Sequence, residues 1–397
     1  MKIKNCRFCS GQLSLVLSLG SMPIVNYFPS KKEITDEKKY PLDLCVCKKC
    51  GLCQLGFIVE PERIFRNYHF LTGASKPLVS HLAELADLCI KKFRMNSRSK
   101  ILDIGCNDGS FLLNFKRKKL TTLGVEPAVT MAQFAKSRGI DVLPEFFNQN
   151  LAKKIKANYG QFDLIFATRV LANIVDLNSF MRGIKLLLSS KGAFIAEVGS
   201  LSEMLSKFQF DAIYHEHYSY FSFSTLQGLL KRYGLRIFKL EKSLFQGGEL
   251  RIFATHKENV SKELRMDEGI GKRDFSSFAV NVRDFKWRFN KLFNDLQGKT
   301  IGGYGAPAKG VILLNYCNLG KDKIEFIVDS TPLKQSRFLP GLHIPIYPEE
   351  YLRGKKVDYI LLLAWSYRDQ IIRKIKKLTK GKTKVIIPFP EFEIVRL

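Results

Sequence analysis

Ile101-Leu102-Asp103-Ile104-Gly105-Cys106-Asn107-Asp108-Gly109-Ser110-Phe111-Leu112 reads as an apolar strand, a glycine turn and the start of an amphipathic helix. This is the first β-α unit of a nucleotide-type α/β fold. The turn is spaced G-x-N-D-G, not the G-x-G-x-x-G of dinucleotide binders. Glycines let the backbone approach a ligand closely, and the helix N-terminus faces its anionic end. The following strand, Thr122-Leu123-Gly124-Val125, runs into Glu126-Pro127. An acid at the end of strand two, about 20 residues on, is placed to accept both ribose hydroxyls.

The alternation continues downstream. Phe162-Asp163-Leu164-Ile165-Phe166-Ala167 predicts a strand, 177–188 a helix and Ala193-Phe194-Ile195-Ala196-Glu197-Val198 a further strand. A helix over 224–233 then precedes strands 235–241 and 248–255, expected as an antiparallel pair closing the sheet. Between strand 193–198 and that helix lies Ala212-Ile213-Tyr214-His215-Glu216-His217-Tyr218-Ser219-Tyr220-Phe221-Ser222, which holds two of the six histidines. It follows a strand at the carboxyl edge, where open α/β sheets bind ligands. Alone it reads equally as a polar loop with satisfied side chains. A helical turn puts Tyr214 and His217 on one face; an extended chain pairs Tyr214 with Glu216 instead.

A second unit of the same kind closes the chain. Phe278, Val282, Phe285, Phe289 and Leu296 recur at helical spacing over 275–296 and predict a connecting helix with a core-facing stripe. Thr300-Ile301-Gly302-Gly303-Tyr304-Gly305-Ala306-Pro307-Ala308-Lys309 is another strand-to-helix glycine turn. Lys309 stands where a helix N-terminus helps hold a phosphate. Residues 324–328 end at Asp329 as a strand ending in an acid, and 358–364 is a further strand. On its own this unit reads either as a nucleotide or sugar-nucleotide site or as a degenerate structural repeat.

Upstream, six of the nine cysteines fall in the first 53 residues. Cys6-Arg7-Phe8-Cys9 and Cys47-Lys48-Lys49-Cys50 are two C-x-x-C knuckles, matching a tetrahedral four-cysteine zinc site. Cys45 lies on the same side of an extended chain as Cys47 and competes as a ligand; the C-x-x-C spacing favours Cys47. Folding of this segment is expected to be coupled to zinc. A zinc ribbon can bind nucleic acid, although structural use is commoner.

With 397 residues, 46% hydrophobic and 25% charged, the chain is ordinary globular protein in two or three domains. There is no run of about 18 apolar residues to span a membrane. Met1-Lys2-Ile3-Lys4-Asn5-Cys6 lacks a signal peptide's apolar segment, so a cytoplasmic protein is expected. The net charge of +27 raises a nucleic-acid hypothesis, but the basic residues are dispersed in short clusters without a basic arm.

The glycine turn with Glu126 resembles motifs one and two of class I S-adenosylmethionine (SAM) methyltransferases. Over nearly the whole chain the order of parts resembles the sugar C-methyltransferase family. The carriers are Cys6-x-x-Cys9, Cys47-x-x-Cys50-Gly51-Leu52, Asp103 to Gly109, Gly124-Val125-Glu126-Pro127, Tyr214-His215-Glu216-His217, Gly247-Gly248-Glu249-Leu250-Arg251, Gly303-Tyr304-Gly305-Ala306-x-Ala308-Lys309 and Asp329-x-x-Pro332-x-Lys334-Gln335. The resemblance implies an α/β protein with a zinc-binding domain (1–68), a Rossmann-like SAM methyltransferase domain (69–257) and a second Rossmann-like domain behind a helical connector (258–397). It implies methylation of carbon 3 of a nucleotide-linked 4-keto-deoxysugar, with zinc as structural metal and no nucleic-acid partner, in a monomer or homodimer.

His217 then takes the base's place, oriented and supported by Glu216 and Tyr214. Asp103, Gly105, Asn107, Asp108, Gly109, Glu126 and Pro127 would hold SAM. Asn173, Gly303, Tyr304, Gly305, Lys309 and Lys334 would meet the sugar nucleotide. The chain departs from the family at Ala172-Asn173-Ile174, where a histidine is common, and at Gln246-Gly247-Gly248, where the family has His-Gly-Gly. In Tyr68-His69-Phe70 the counterpart of the family's sugar-contacting tyrosine is open. A zinc-ribbon RNA methyltransferase or RNA-binding module, and a sugar-nucleotide-binding pseudo-enzyme, are the alternatives.

Overall fold

The strand that leads into the glycine turn lies inside a seven-stranded sheet. The computed structural model describes residues 1–397 except 67, 69, 244–246, 263, 267, 380–382 and 390–391. The chain opens with β1 (Leu13–Pro23), β2 (Lys39–Cys47) and β3 (Cys53–Leu55). The large sheet then uses β4 (Lys100–Ile104), β5 (Thr121–Val125), β6 (Val142–Leu143), β7 (Phe162–Thr168) and β8 (Leu188–Gly199). After β9 (Ser219–Tyr220) it is completed by β10 (Leu235–Ser243) and β11 (Glu249–His256), in the order β10-β11-β8-β7-β4-β5-β6. β4 to β8 pair in parallel, while β10 and β11 are antiparallel, as their alternation predicted.

The order reverses between β4 and β7, and such a switch point opens a crevice at the carboxyl ends of the strands. The third sheet repeats the design with β12 (Ile301–Tyr304), β13 (Phe326–Val328), β14 (Ile346–Tyr347), β15 (Tyr359–Leu362), β16 (Lys384–Ile387) and β17 (Glu393–Arg396), ordered β14-β13-β12-β15-β16-β17. Its switch point lies between β12 and β15. The two glycine turns are built alike. Gly105 donates its N–H to Val125 at 2.7 Å, and Gly305 donates to Val328 at 2.7 Å. The acid after each second strand accepts from the turn: Glu126 from the Asn107 N–H at 2.9 Å, Asp329 from the Ala306 N–H at 2.7 Å.

The three units share their packing. The predicted connecting helix runs Lys272–Asp295 and buries Phe278, Val282, Phe285, Phe289 and Phe293. Phe285 stacks on Phe389 of the last sheet at 5.2 Å and meets Phe210 edge-on at 5.4 Å. Offset and edge-on aromatic pairs of this kind contribute about 0.5–1.5 kcal/mol each beyond area burial. One apolar core therefore joins residues of β1 to β3, the segment 201–220, this helix and the third sheet.

One feature was not expected from the sequence. The His/Tyr stretch leaves the large sheet, and β9 adds to the first sheet, pairing Tyr220 with Cys53 and Ser219 with Gln54. The N-terminal sheet thus has four strands, ordered β1-β2-β3-β9. Tyr218 is fully buried there, and its hydroxyl donates to the Val59 carbonyl at 2.8 Å. No helix among the described residues is long and apolar enough to cross a membrane.

Candidate active site

A single cavity of about 630 Å³ takes its walls from all three units. One end is the glycine turn. Asp103, Gly105, Asn107, Glu126 and Pro127 line it, as the sequence predicts. Gly105 has φ +72, and a Cβ there would sit 2.4 Å from Val170 Cγ2. Glu126 is buried and accepts one backbone hydrogen bond on each oxygen, from Asn107 and from Ala128. Each oxygen keeps a lone pair for a ribose hydroxyl. Burial raises the Glu126 carboxyl to about 7. Asp103 is also buried, and its Oδ1 has no hydrogen-bond partner. A buried acceptor without a partner is costly and points to a ligand that completes it. These residues fit SAM.

Asp108 and Gly109 were expected at this wall and do not line it. Asp108 accepts from the Gly73 N–H at 2.9 Å and the Ser110 N–H at 3.1 Å, and pairs with Arg138 at 3.3 Å. Asn107 takes the Thr72 N–H and donates to the Phe70 carbonyl. These side chains thus fasten segment 70–73 over the turn. Gly109 sits against Ala135 and Ile140, where a Cβ would come within 3.1 Å of each, so it serves helix packing.

Gly105→Ala forces a side chain into the Val170 contact and a left-handed backbone, a strain of about 1–3 kcal/mol. SAM affinity measured by calorimetry is expected to fall at least about tenfold, since 1.4 kcal/mol is a factor of ten.

The middle of the cavity holds the His/Tyr stretch. The His217 N–H donates to the Tyr214 carbonyl at 3.0 Å, so residues 214–217 form a turn. Tyr214 and His217 consequently share a face, with ring centroids 4.0 Å apart. His217 Nδ1 lies 3.2 Å from the Ala212 carbonyl. A carbonyl only accepts, so Nδ1 carries the proton and Nε2 is the basic nitrogen. Burial lowers His217 to about 4, with the Lys309 and Arg169 charges adding in the same direction.

The orienting group is therefore the Ala212 carbonyl, and Tyr214 packs on the ring. The expected contact of Glu216 with His217 is replaced. The turn sends the Glu216 carboxylate the other way, where Oε1 accepts from Asn26 at 2.7 Å and Oε2 from the Tyr68 hydroxyl at 2.9 Å. Burial raises Glu216 to about 7. Of the aromatic segment 68–70, Tyr68 and Phe70 line the cavity; His69 lies outside the described residues. His215 is buried, 3.2 Å from the Pro41 carbonyl, and does not line the cavity.

After β7 comes Arg169, in a left-handed conformation at φ 61, paired with Glu249 at 2.6 Å. Both line the cavity; Glu249 stood in the sequence only as part of the Gly247 to Arg251 motif, with no role given to it, and Arg169 was not singled out. Asn173 lines it too, with a buried Oδ1 that lacks a hydrogen-bond partner. Gln246 lies outside the described residues.

The far wall belongs to the third sheet. Lys309 opens the helix Ala308–Cys317 and lies over the Trp365 ring at 4.5 Å. Trp365 donates its indole N–H to Asp211 at 2.8 Å, tying this wall to the segment before His217. Lys334 reaches the Ala306 carbonyl at 2.8 Å and lies over Phe28 at 4.9 Å. Lys309, Lys334 and Trp365 line the cavity; Gly303, Tyr304 and Gly305, expected there, do not. Tyr304 turns into the opposite face of its sheet, where its hydroxyl donates to Glu349 at 2.5 Å. Gly303 packs against Ile327 and Leu363. Gly305, at φ +85, shapes the turn with no room for a Cβ beside Ala364.

The four knuckle cysteines converge. Sγ atoms of Cys6, Cys9, Cys47 and Cys50 all lie within 4.8 Å of one another, with Cys6–Cys50 at 3.7 Å and Cys9–Cys47 at 3.5 Å. Tetrahedral zinc at 2.3 Å from each sulfur needs about 3.8 Å between them, so the set fits that ion. Cys45 stays outside the group, buried against Gly56. His81, Glu197 and Glu249 also cluster, but Arg251 and Arg169 pair with the two carboxylates at 2.5 and 2.6 Å. Those guanidinium charges already balance the acids.

A switch-point crevice with this turn, this ribose acid and an unpartnered buried aspartate defines a class I SAM-dependent methyltransferase. Comparison with known proteins narrows the class. Residues 6–65 match the family described as "Putative zinc binding domain", 78–240 "Methyltransferase domain" and 244–390 "C-methyltransferase C-terminal domain". The chain is 32% identical to C-methyltransferase NovU of Streptomyces niveus over 99% of its own length and 97% of the relative's. The chain belongs to the C-methyltransferase family. It is also 24% identical to the uncharacterized methyltransferase C70.08c of Schizosaccharomyces pombe, over 32% of this chain and 49% of that one. Among solved structures, magnesium protoporphyrin IX methyltransferase of Synechocystis PCC 6803 with bound SAH is similar at 11% identity and TM-score 0.36, over 45% of this chain and 82% of that one. The PH0226 protein of Pyrococcus horikoshii OT3 is similar at 18% identity and TM-score 0.39, over 51% of this chain and 100% of that one.

Proposed function

We propose that the enzyme methylates carbon 3 of a nucleotide-linked 4-keto-deoxysugar, with His217 as the base that forms the enolate, and that Cys6, Cys9, Cys47 and Cys50 hold a structural zinc ion. The observation that carries this reading is the single cavity, in which the glycine turn, His217 and Lys309 face a common space. When bound, SAM supplies an electrophilic methyl group on a sulfonium.

His217 Nε2 takes the proton from carbon 3, and the C–H electron pair moves into an enolate with its charge on the ketone oxygen. Nδ1–H stays on the Ala212 carbonyl and fixes the tautomer that does this. The amide of Asn173, on the wall of the same cavity, is a donor for the enolate oxygen; its Oδ1, unpartnered and buried, is completed by a sugar hydroxyl. Lys309, at a helix N-terminus, and Arg169 supply positive charge for the diphosphate. A closed four-sulfur site leaves no open metal position, so the zinc serves the fold.

The test is methyl transfer from labelled SAM to a panel of nucleotide-linked 4-keto-deoxysugars, run beside bulk tRNA. Label is expected in the sugar nucleotide, at carbon 3 by NMR of the product. Label in tRNA alone overturns the reading in favour of an RNA methyltransferase.

A further inference from the structure

We propose that Arg7, carried inside the first cysteine knuckle, is a positioning residue that holds the His217 segment and the Asn173 loop at their working separation. The guanidinium lies between the two. Its Nη1 donates to the carbonyls of Ile174 and Val175 at 2.8 and 2.7 Å. Its Nη2 donates to the Tyr218 carbonyl and the Ser219 hydroxyl, both at 2.5 Å. One planar fork thus spans the residues directly after Asn173 and directly after His217. Ile174, Val175 and Ser219 are themselves cavity wall. A lysine has a single ammonium and cannot span both segments in this planar way.

Arg7 is half-buried as a residue, and no carboxylate accepts any of these four bonds. Burial pulls the guanidinium down to about 10 against the opposing charges of Cys6, Tyr218 and Asp176, of which Cys6 acts most strongly. Four thiolates around one Zn²⁺ carry a net charge of about −2. The fitted metal centre is therefore the main counter-charge to a guanidinium that no carboxylate contacts directly, with Asp176 adding to it from further off. Gln54 completes the link, donating to Cys6 Sγ at 3.1 Å and accepting the Arg7 N–H at 3.2 Å. The knuckle is also anchored from outside the cavity: Asn178 donates to the Arg7 and Phe8 carbonyls, and Arg232 donates to the Phe8 carbonyl at 2.8 Å. Those anchors keep the knuckle docked when the Arg7 side chain is removed.

The effect on rate rests on His217 being the base; the effect on order rests on the geometry alone. The experiment uses the full chain as Arg7→Ala, Arg7→Lys and, as a comparator at the same knuckle, Arg232→Ala. Zinc content, hydrogen exchange of residues 172–176 and 214–221, kcat and the KM for SAM are measured. In Arg7→Ala, zinc stays at about one per chain, both segments exchange faster together, and kcat falls about 10²-fold, the scale of a 1 Å misplacement. The KM for SAM stays within about twofold, because the glycine turn is untouched. Added guanidinium ion restores part of the rate in Arg7→Ala. Arg7→Lys keeps the charge and is intermediate, and Arg232→Ala leaves exchange in both segments and kcat unchanged. Unchanged exchange in both segments of Arg7→Ala overturns the proposal, as does a loss that falls on KM for SAM with kcat intact. Should Arg7→Ala lose its zinc, Arg7→Lys with zinc retained decides by the same two readouts. Where no methyl transfer to a sugar nucleotide is found in the wild type, the exchange result alone judges Arg7, separately from the proposed reaction.

Discussion

Replacing His217 with alanine lowers kcat for methyl transfer by roughly 10²–10⁴-fold, the usual contribution of a positioned general base, while SAM still binds by calorimetry. The ring is at the centre of the cavity, and its tautomer is fixed by the Ala212 carbonyl. Among the described residues of the cavity wall, no second histidine is present. His215 points at Pro41, and Asn173 cannot titrate. The pH profile carries the same assignment. Burial holds His217 down to about 4, so the base is neutral across the neutral range and its own limb in kcat/KM lies well below ordinary imidazole: the supply of free base is full above that limb and is lost as pH falls through it. A second limb near 7 comes from two buried carboxyls of the cavity, Glu216 and Glu126, whose incoming hydrogen bonds favour the carboxylate, so activity declines there as pH falls. Glu216→Gln removes the Glu216 share of that limb and leaves the lower one. Stability follows His217 with the same sign. Between about 6.5 and 4 the unfolded imidazole binds a proton that the folded one refuses, so the fold loses stability as pH drops through that window. A His217→Ala enzyme within tenfold of the wild type removes His217 as the base.

What the sequence made legible was contiguous. The glycine turn, Glu126, the C-x-x-C pairs and the Tyr-His-Glu-His run each bring their chemistry within a few residues, and the structure puts Gly105, Glu126 and His217 on one cavity. The residues that finish the site come from far away in the chain. Asn26 reaches Glu216 across 190 positions and Tyr68 across 148, so no local spacing announces either. Tyr68 at least stands in a conspicuously aromatic segment; Arg169 carries no such mark, because its left-handed backbone is visible only once folded. Glycine turns also mislead by analogy. Gly303, Tyr304 and Gly305 follow the same pattern as the first turn, yet the Tyr304 hydroxyl goes to Glu349 and it is Pro307, Ala308 and Lys309, further along the turn, that line the cavity. The pairing of β9 with β3 had no signal at all, since a two-residue strand is too short for periodicity.

That pairing decides what the metal ligands are worth. Cys47→Ser or Cys6→Ser is expected to reduce bound zinc from about one per chain to almost none, whereas Cys45→Ser keeps it. Cys45 sits in β2 opposite Leu15, with its sulfur against Gly56 and outside the four-sulfur group. In the ligand group, Cys6 and Cys50 share one hydrogen bond that lowers the Cys6 thiol and raises that of Cys50, so the two sulfurs hold a proton that a metal ion would displace. Structural zinc contributes on the order of 10–16 kcal/mol in isolated zinc-finger peptides, so its loss outweighs the whole stability of an ordinary domain. Here the damage cannot stay local. Cys47 ends β2, β2 pairs with β3, and β3 holds β9, which begins two residues after His217. Unfolding of the first sheet therefore releases one end of the base's segment, and the shared apolar core passes the loss on to the helix Lys272–Asp295. Metal analysis, with thermal unfolding followed in the same samples, distinguishes the outcomes. The ligand variants should unfold earlier and in a broader transition than Cys45→Ser, and a Cys47→Ser protein that keeps its zinc while Cys45→Ser loses it would transfer the ligand role to Cys45.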